Sequence, residues 1–204
     1  MSAPPARRAG FRRTGLRRTA VLAAAAVCAS VLSACDPGGS PDGSGVTRNT
    51  NATVAVPVAE RKAAPDLSGT TTRGARLDFA DYKGKVVVLN VWSSLCGPCA
   101  AEAPGFAKVA RSTGGAGVRF VGINTRDPDT SQAVGFEERH HLPYPSLSDP
   151  TGKLLLRFPK GSLNPQLIPT TLVLDRKGRL AARLLGPVDE DALRAVIDPV
   201  VREK

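Results

Sequence analysis

The chain has 204 residues, enough for one ordinary domain with appendages, and a near-average composition except for few aromatics and abundant Gly and Pro. Its net charge of +10 is unevenly spread: residues 1–35 hold six arginines and no acidic residue, which leaves 22 basic against 18 acidic residues beyond them, a net of +4. Those remaining cations form no stripe interleaved with aromatics, so nucleic acid is set aside as a partner.

Residues 1–18 are Arg-rich and residues 20–32 are apolar or small and uncharged. A basic region followed by a short apolar run is the pattern of a secretory signal. The run makes only about 20 Å of helix against a hydrocarbon core of ~30 Å, so a permanent spanning helix is the weaker reading. Leu32-Ser33-Ala34-Cys35 resembles the bacterial lipobox. That resemblance implies a signal peptide over 1–34, cleavage before Cys35 and a diacylglycerol on its sulfur. Two or three acyl chains hold a protein at a membrane where one does not. The expected location is the outer face of the cytoplasmic membrane. Arginine pairs at 12–13 and 17–18 leave the export route open between the general secretory and twin-arginine systems.

Cys28 leaves with the signal, so the mature chain carries Cys35, Cys96 and Cys99. Two free thiols in an oxidising compartment read as one redox pair. Residues 35–63 are rich in Gly, Ser, Pro, Asn and Thr, lack aromatics, and read as a lipidated flexible tether. A coil of ~28 residues spans about 30 Å r.m.s.. The Asn51-Ala52-Thr53 glycosylation match is read as chance.

Residues 64–204 read as one domain. A short hairpin is expected over 70–77 around Gly74. Residues 85–92 are a β-branched apolar run, the mark of a buried central strand. A helix opens at 96–98, runs to about 112 and stops at Gly114-Gly115. Residues 118–124 give a second buried strand, 130–140 a helix, 144–148 a short extended piece and 154–158 a short helix. Residues 170–175 and 178–184 pair as a hairpin. An amphipathic helix over 189–201 closes the domain. Strands alternating with helices, then a hairpin and a helix, give a three-layer α/β fold with a central mixed sheet.

Cys96-Gly97-Pro98-Cys99 follows a buried strand and opens a helix. Residues three apart on a helix are neighbours, and a small adjustment brings their Cβ atoms to the ~3.8 Å of a disulfide. Cys96 sits at the helix N-terminus, where free N–H groups and the dipole favour an anion, so it is the attacking thiolate. Cys99, one turn inside, is the resolving thiol. Pro98 lacks an N–H that the first turn leaves unpaired anyway. Zinc would normally require four Cys or His ligands. Only His140 and His141 are at hand, adjacent and far downstream, and they read as solvated residues at a helix C-terminus. No metal and no cofactor are expected.

The run from Leu89 through Trp92, Cys96 and Cys99 to Glu102 and Pro104 resembles the signature of the TlpA/ResA group of membrane-tethered thioredoxin-like reductases. The resemblance covers roughly residues 64–202. It implies a thioredoxin-like fold with an N-terminal extension and a helix-containing insertion at about 125–150. It also matches Ile168-Pro169-Thr170-Thr171 to a cis-proline motif facing the cysteines, where Ile168 backbone groups pair with an extended substrate. The resemblance adds Glu102 to the catalytic set, with Cys96, Cys99 and Pro169, as the group that manages the Cys99 proton. Its alternative is a solvated helix glutamate. Asn90 stands where cytoplasmic thioredoxins carry a buried Asp. Trp92 and Ile168 are the candidate substrate-binding residues, with core packing as the stronger reading of Trp92. Pro104 interrupts the helix ladder.

Two departures from the pattern stand out. Leu95 replaces the Trp that the group carries before its first Cys. Residues 159–167 form a longer approach to the cis-proline, expected to border the substrate groove.

The leading function is therefore an extracytoplasmic thiol–disulfide oxidoreductase. The group mostly reduces exported partners, often apocytochrome c, with electrons from a membrane thiol donor. Oxidation stays open, because potentials within this fold span about −270 to −120 mV. The expected protein is a monomer. The rivals are a peroxiredoxin-like thiol peroxidase, whose upstream proline is missing here, and a copper- or zinc-carrying assembly protein similar to the Sco proteins.

Overall fold

The computed structural model describes residues 53–203; the signal segment, Cys35 and residues 36–52 of the tether lie outside the described residues. Eight strands occur among those residues: β1 (Val54–Ala55), β2 (Ser68–Thr70), β3 (Arg76–Asp78), β4 (Val86–Trp92), β5 (Val118–Thr125), β6 (Ser146–Asp149), β7 (Thr170–Leu174) and β8 (Leu180–Leu185). The helices are α1 (Gly97–Thr113), α2 (Thr130–Arg139) and α3 (Glu190–Arg202). The main sheet runs β1-β8-β7-β4-β5-β6, and β2-β3 is a separate hairpin. β4, β5 and β6 are parallel to one another, while β7, β8 and β1 join antiparallel. This is the mixed-sheet, thioredoxin-like α/β fold expected.

β4 is central and buried at all seven positions. Successive side chains point to opposite faces, so the apolar run serves two cores. Val86 and Val88 pack with Phe106, Val109, Leu193 and Ile197 of α1 and α3. Val87, Leu89 and Val91 pack with Ile123, Leu147 and Leu172 on the other face. That second face is covered by Phe79, Tyr82, Leu154 and Phe158, carried on short 3-10 turns and loops. The insertion supplies α2 and the edge strand β6, whose register sets Ile123 opposite Leu147.

The structure corrects one boundary. Val54 and Ala55, assigned by composition to the tether, pair with Arg183 and Ala182 of β8. Arg61 fastens this entry strand. Its guanidinium reaches Asp175 at 3.2 Å and Glu203 at 2.5 and 2.7 Å, and its Nε donates to the Val56 carbonyl at 3.0 Å. A two-residue strand is too short to show a period in sequence. Among the described residues no helix is long and apolar enough to cross a membrane.

Candidate active site

The parallel strands β4 and β5 deliver their carboxyl ends to one edge, where open α/β sheets gather their sites. β4 ends at Trp92, and Ser93, Ser94 and Leu95 lead into α1. Cys96 is the N-cap of α1, with extended φ −94° and ψ 104°, and Pro98 lies in the first turn. Its sulfur accepts the Cys99 N–H at 3.2 Å. Cys96 and Cys99 form a disulfide with S–S 2.08 Å and Cα–Cα 5.2 Å. Cys99 is 2% exposed and Cys96 is half-buried. The two cysteines thus differ in exposure, Cys96 being the more accessible of the pair.

The Ile168–Pro169 peptide is cis. Ile168 packs against the cluster holding Cys99, Trp92, Ala103, Ala133 and Phe136. The Pro169 carbonyl accepts from Gly186 N at 3.0 Å, whereas among the described residues no backbone hydrogen bond engages Ile168. Its N–H and C=O thus remain available beside the disulfide.

Glu102 lies one turn beyond Cys99 and is buried, 5% exposed. One carboxyl oxygen accepts from Asn90 Nδ2 at 2.9 Å and the other from the Val188 N–H at 3.1 Å. Burial raises its pKa to about 7, against the lowering effect of those two bonds. It is not a solvated helix residue. A carboxyl with a pKa of about 7, one turn beyond Cys99 on the same helix, is half-protonated near neutrality.

Trp92 follows the core-packing reading and not the candidate substrate-binding one. It is 1% exposed, stacks on Phe136 with ring centroids 4.6 Å apart, and its indole N–H donates to Ser146 Oγ at 3.3 Å. It is floor beneath the disulfide and presents no surface to a substrate. Leu95 is 72% exposed, so the departure from Trp leaves an apolar side chain at the rim. His140 is half-buried against Phe136, centroids 4.4 Å apart, and burial lowers its pKa. Among the described residues, no group of three or more His, Cys, Asp or Glu side chains is placed to hold a metal ion.

Asp127, Ser93 and Asn124 escaped the sequence reading. The Asp127 carboxylate, 2% exposed, accepts the Ser93 hydroxyl at 2.6 Å, the Ser94 N–H at 3.0 and 3.1 Å, and Asn124 Nδ2 at 2.7 Å. Ser93 Oγ in turn accepts the Leu95 N–H at 3.2 Å, and Cys96 N–H closes on the Ser93 carbonyl at 3.2 Å. The turn that presents Cys96 is thus held by a buried carboxylate at the end of β5. The polar Asn124-Thr125-Arg126-Asp127 run ending an apolar strand was the available signal.

Comparison with known proteins places this geometry among relatives. The Redoxin family matches residues 59–197. The thiol:disulfide interchange protein HelX of Rhodobacter capsulatus is 34% identical over 133 residues, covering 63% of this chain and 69% of that one. The thiol-disulfide oxidoreductase ResA of Geobacillus kaustophilus is 29% identical over 143 residues, covering 70% and 79%. Among solved structures, a secreted thiol-disulfide isomerase from Corynebacterium glutamicum superposes with a TM-score of 0.70 at 30% identity, covering 81% of this chain and 97% of that one.

Proposed function

Since the chain belongs to the Redoxin family, as a thioredoxin-like thiol–disulfide oxidoreductase of the TlpA/ResA kind, we propose that it reduces disulfides in exported proteins from a lipid anchor at Cys35. It acts as a monomer at the outer face of the cytoplasmic membrane, and a membrane thiol donor restores its dithiol. The observation that carries the reading is the pairing of a half-buried Cys96 at the N-terminus of α1 with a buried Cys99 backed by Glu102.

In the reduced protein, the Cys96 thiolate attacks one sulfur of the substrate disulfide. The other substrate sulfur leaves as a thiolate and takes up a proton. The mixed disulfide is held by backbone pairing to Ile168. Cys99 passes its proton to Glu102 and attacks Cys96 Sγ, which releases the second substrate sulfur as a thiolate that takes up a proton as Glu102 gives its own back to solvent. Two electrons have then moved, leaving two substrate thiols and the Cys96–Cys99 disulfide. Oxidised apocytochrome c is the substrate that the family resemblance names.

Equilibration with glutathione tests the direction. A reductase should poise at about −200 mV or lower, while a value near −120 mV would make the protein an oxidant and overturn the reading.

A further inference from the structure

Arg126 follows the last residue of β5 with φ 65°, a left-handed conformation that glycine adopts freely and arginine rarely does. Both of its neighbours are fixed. Thr125 is paired with Asp149 in the sheet, and Asp127 is locked to Ser93, Ser94 and Asn124. The side chain runs out over the surface, and its guanidinium donates to the Pro165 carbonyl at 2.8 Å.

Pro165 lies in the second of two turns that form the long approach to the cis-proline. The first closes Ser162 N–H on the Pro159 carbonyl at 3.0 Å, and the second closes Leu167 N–H on the Asn164 carbonyl at 3.0 Å. Arg183 donates to the Gly161 carbonyl in the first turn. The second turn ends at Leu167, 38% exposed, and leads into Ile168, which packs against the cluster holding Cys99. One short segment thereby holds both sides of the site. Asp127 fixes the turn bearing Leu95, and Arg126 fixes the turn bearing Leu167 and Ile168.

We infer that Arg126 is a positioning residue for the disulfide substrate, holding the Leu167–Ile168 side so that an extended, apolar-flanked segment fits beside Cys96. The inference rests on Cys96–Cys99 being the exchange site. The apolar character follows from the side chains the two turns expose, Leu95 and Leu167. The extended form follows from the unengaged backbone of Ile168. A small disulfide needs only Cys96 and is indifferent to the width of this opening.

Arg126→Gly separates positioning from support of the fold. Glycine relieves the left-handed backbone while deleting the guanidinium, so the thermal midpoint should not fall. The assay follows dithiothreitol-driven reduction of two probes, a ten-residue peptide closed by one disulfide with leucines flanking its cysteines, and hydroxyethyl disulfide. Loss of one hydrogen bond's worth of positioning raises KM for the peptide roughly three- to tenfold, with kcat and the hydroxyethyl disulfide rate unchanged. Arg126→Lys, which keeps a donor, should recover part of the KM. An unchanged peptide KM in Arg126→Gly, or an equal loss on both probes, would overturn the inference. Failure of the wild-type protein on both probes would instead overturn the exchange reading beneath it.

Discussion

Replacing Glu102 by glutamine should flatten the pH dependence of stability. Burial raises the folded pKa of Glu102 from 4.5 to about 7. The folded protein therefore binds this proton more tightly than the unfolded chain does. Stability from this group is fully present below the unfolded pKa and is lost as pH rises through about 7. Linkage over that interval gives a loss of about 2.5 kcal/mol between about pH 5 and pH 8. Glutamine keeps the shape but turns its NH2 toward either Asn90 Nδ2 or the Val188 N–H, a mismatch costing about 1–3 kcal/mol. That cost does not vary with pH, whereas the linkage does. Urea unfolding of the oxidised protein at several pH values checks the difference, because disulfide-bonded cysteines do not titrate. The gap between wild type and Glu102→Gln should shift by about 2.5 kcal/mol in the variant's favour from acid to alkaline pH. A parallel pair of curves would refute the argument that burial holds Glu102 near neutrality.

Gly122→Ala should destabilise the floor of the site. An added Cβ would lie 2.7 Å from Trp92 Nε1 and would also collide with Ser146 Oγ. Urea melts should register about 1–3 kcal/mol, with a changed near-ultraviolet signal from Trp92. Arg61→Ala should cost about 2–3 kcal/mol, because Asp175 remains buried with one cationic partner fewer, and hydrogen exchange should accelerate selectively at β1. A uniform rise in exchange across the sheet would argue that Arg61 does not act through the entry strand.

The parts legible in sequence are those with a local signature. β4 announces itself by an unbroken β-branched run, and α1 by a cysteine cap, a first-turn proline and a terminal glycine pair. The cis-proline and Glu102 follow from the family resemblance alone, and it is burial that perturbs the Glu102 carboxyl. The rest depends on contacts between distant positions. β1 is a two-residue strand whose place comes from β8 and from Arg61. The hydrogen bond from Ser93 to Asp127 spans 34 residues of sequence, and that from Arg126 to Pro165 spans 39. Trp92 illustrates the limit from the other side. Its place four residues before Cys96 marked it as important, yet only the packed structure shows that Phe136 and Ser146 enclose it.

The central claim, that Cys96 attacks and Cys99 resolves, is tested most directly by trapping in cells. Cys99→Ser removes the resolving thiol, so exported proteins should accumulate as mixed disulfides through Cys96, and their identities report the substrates. Cys96→Ser should trap few or none, because Cys99 is 2% exposed. Equal trapping of the same proteins by Cys96→Ser would contradict the account.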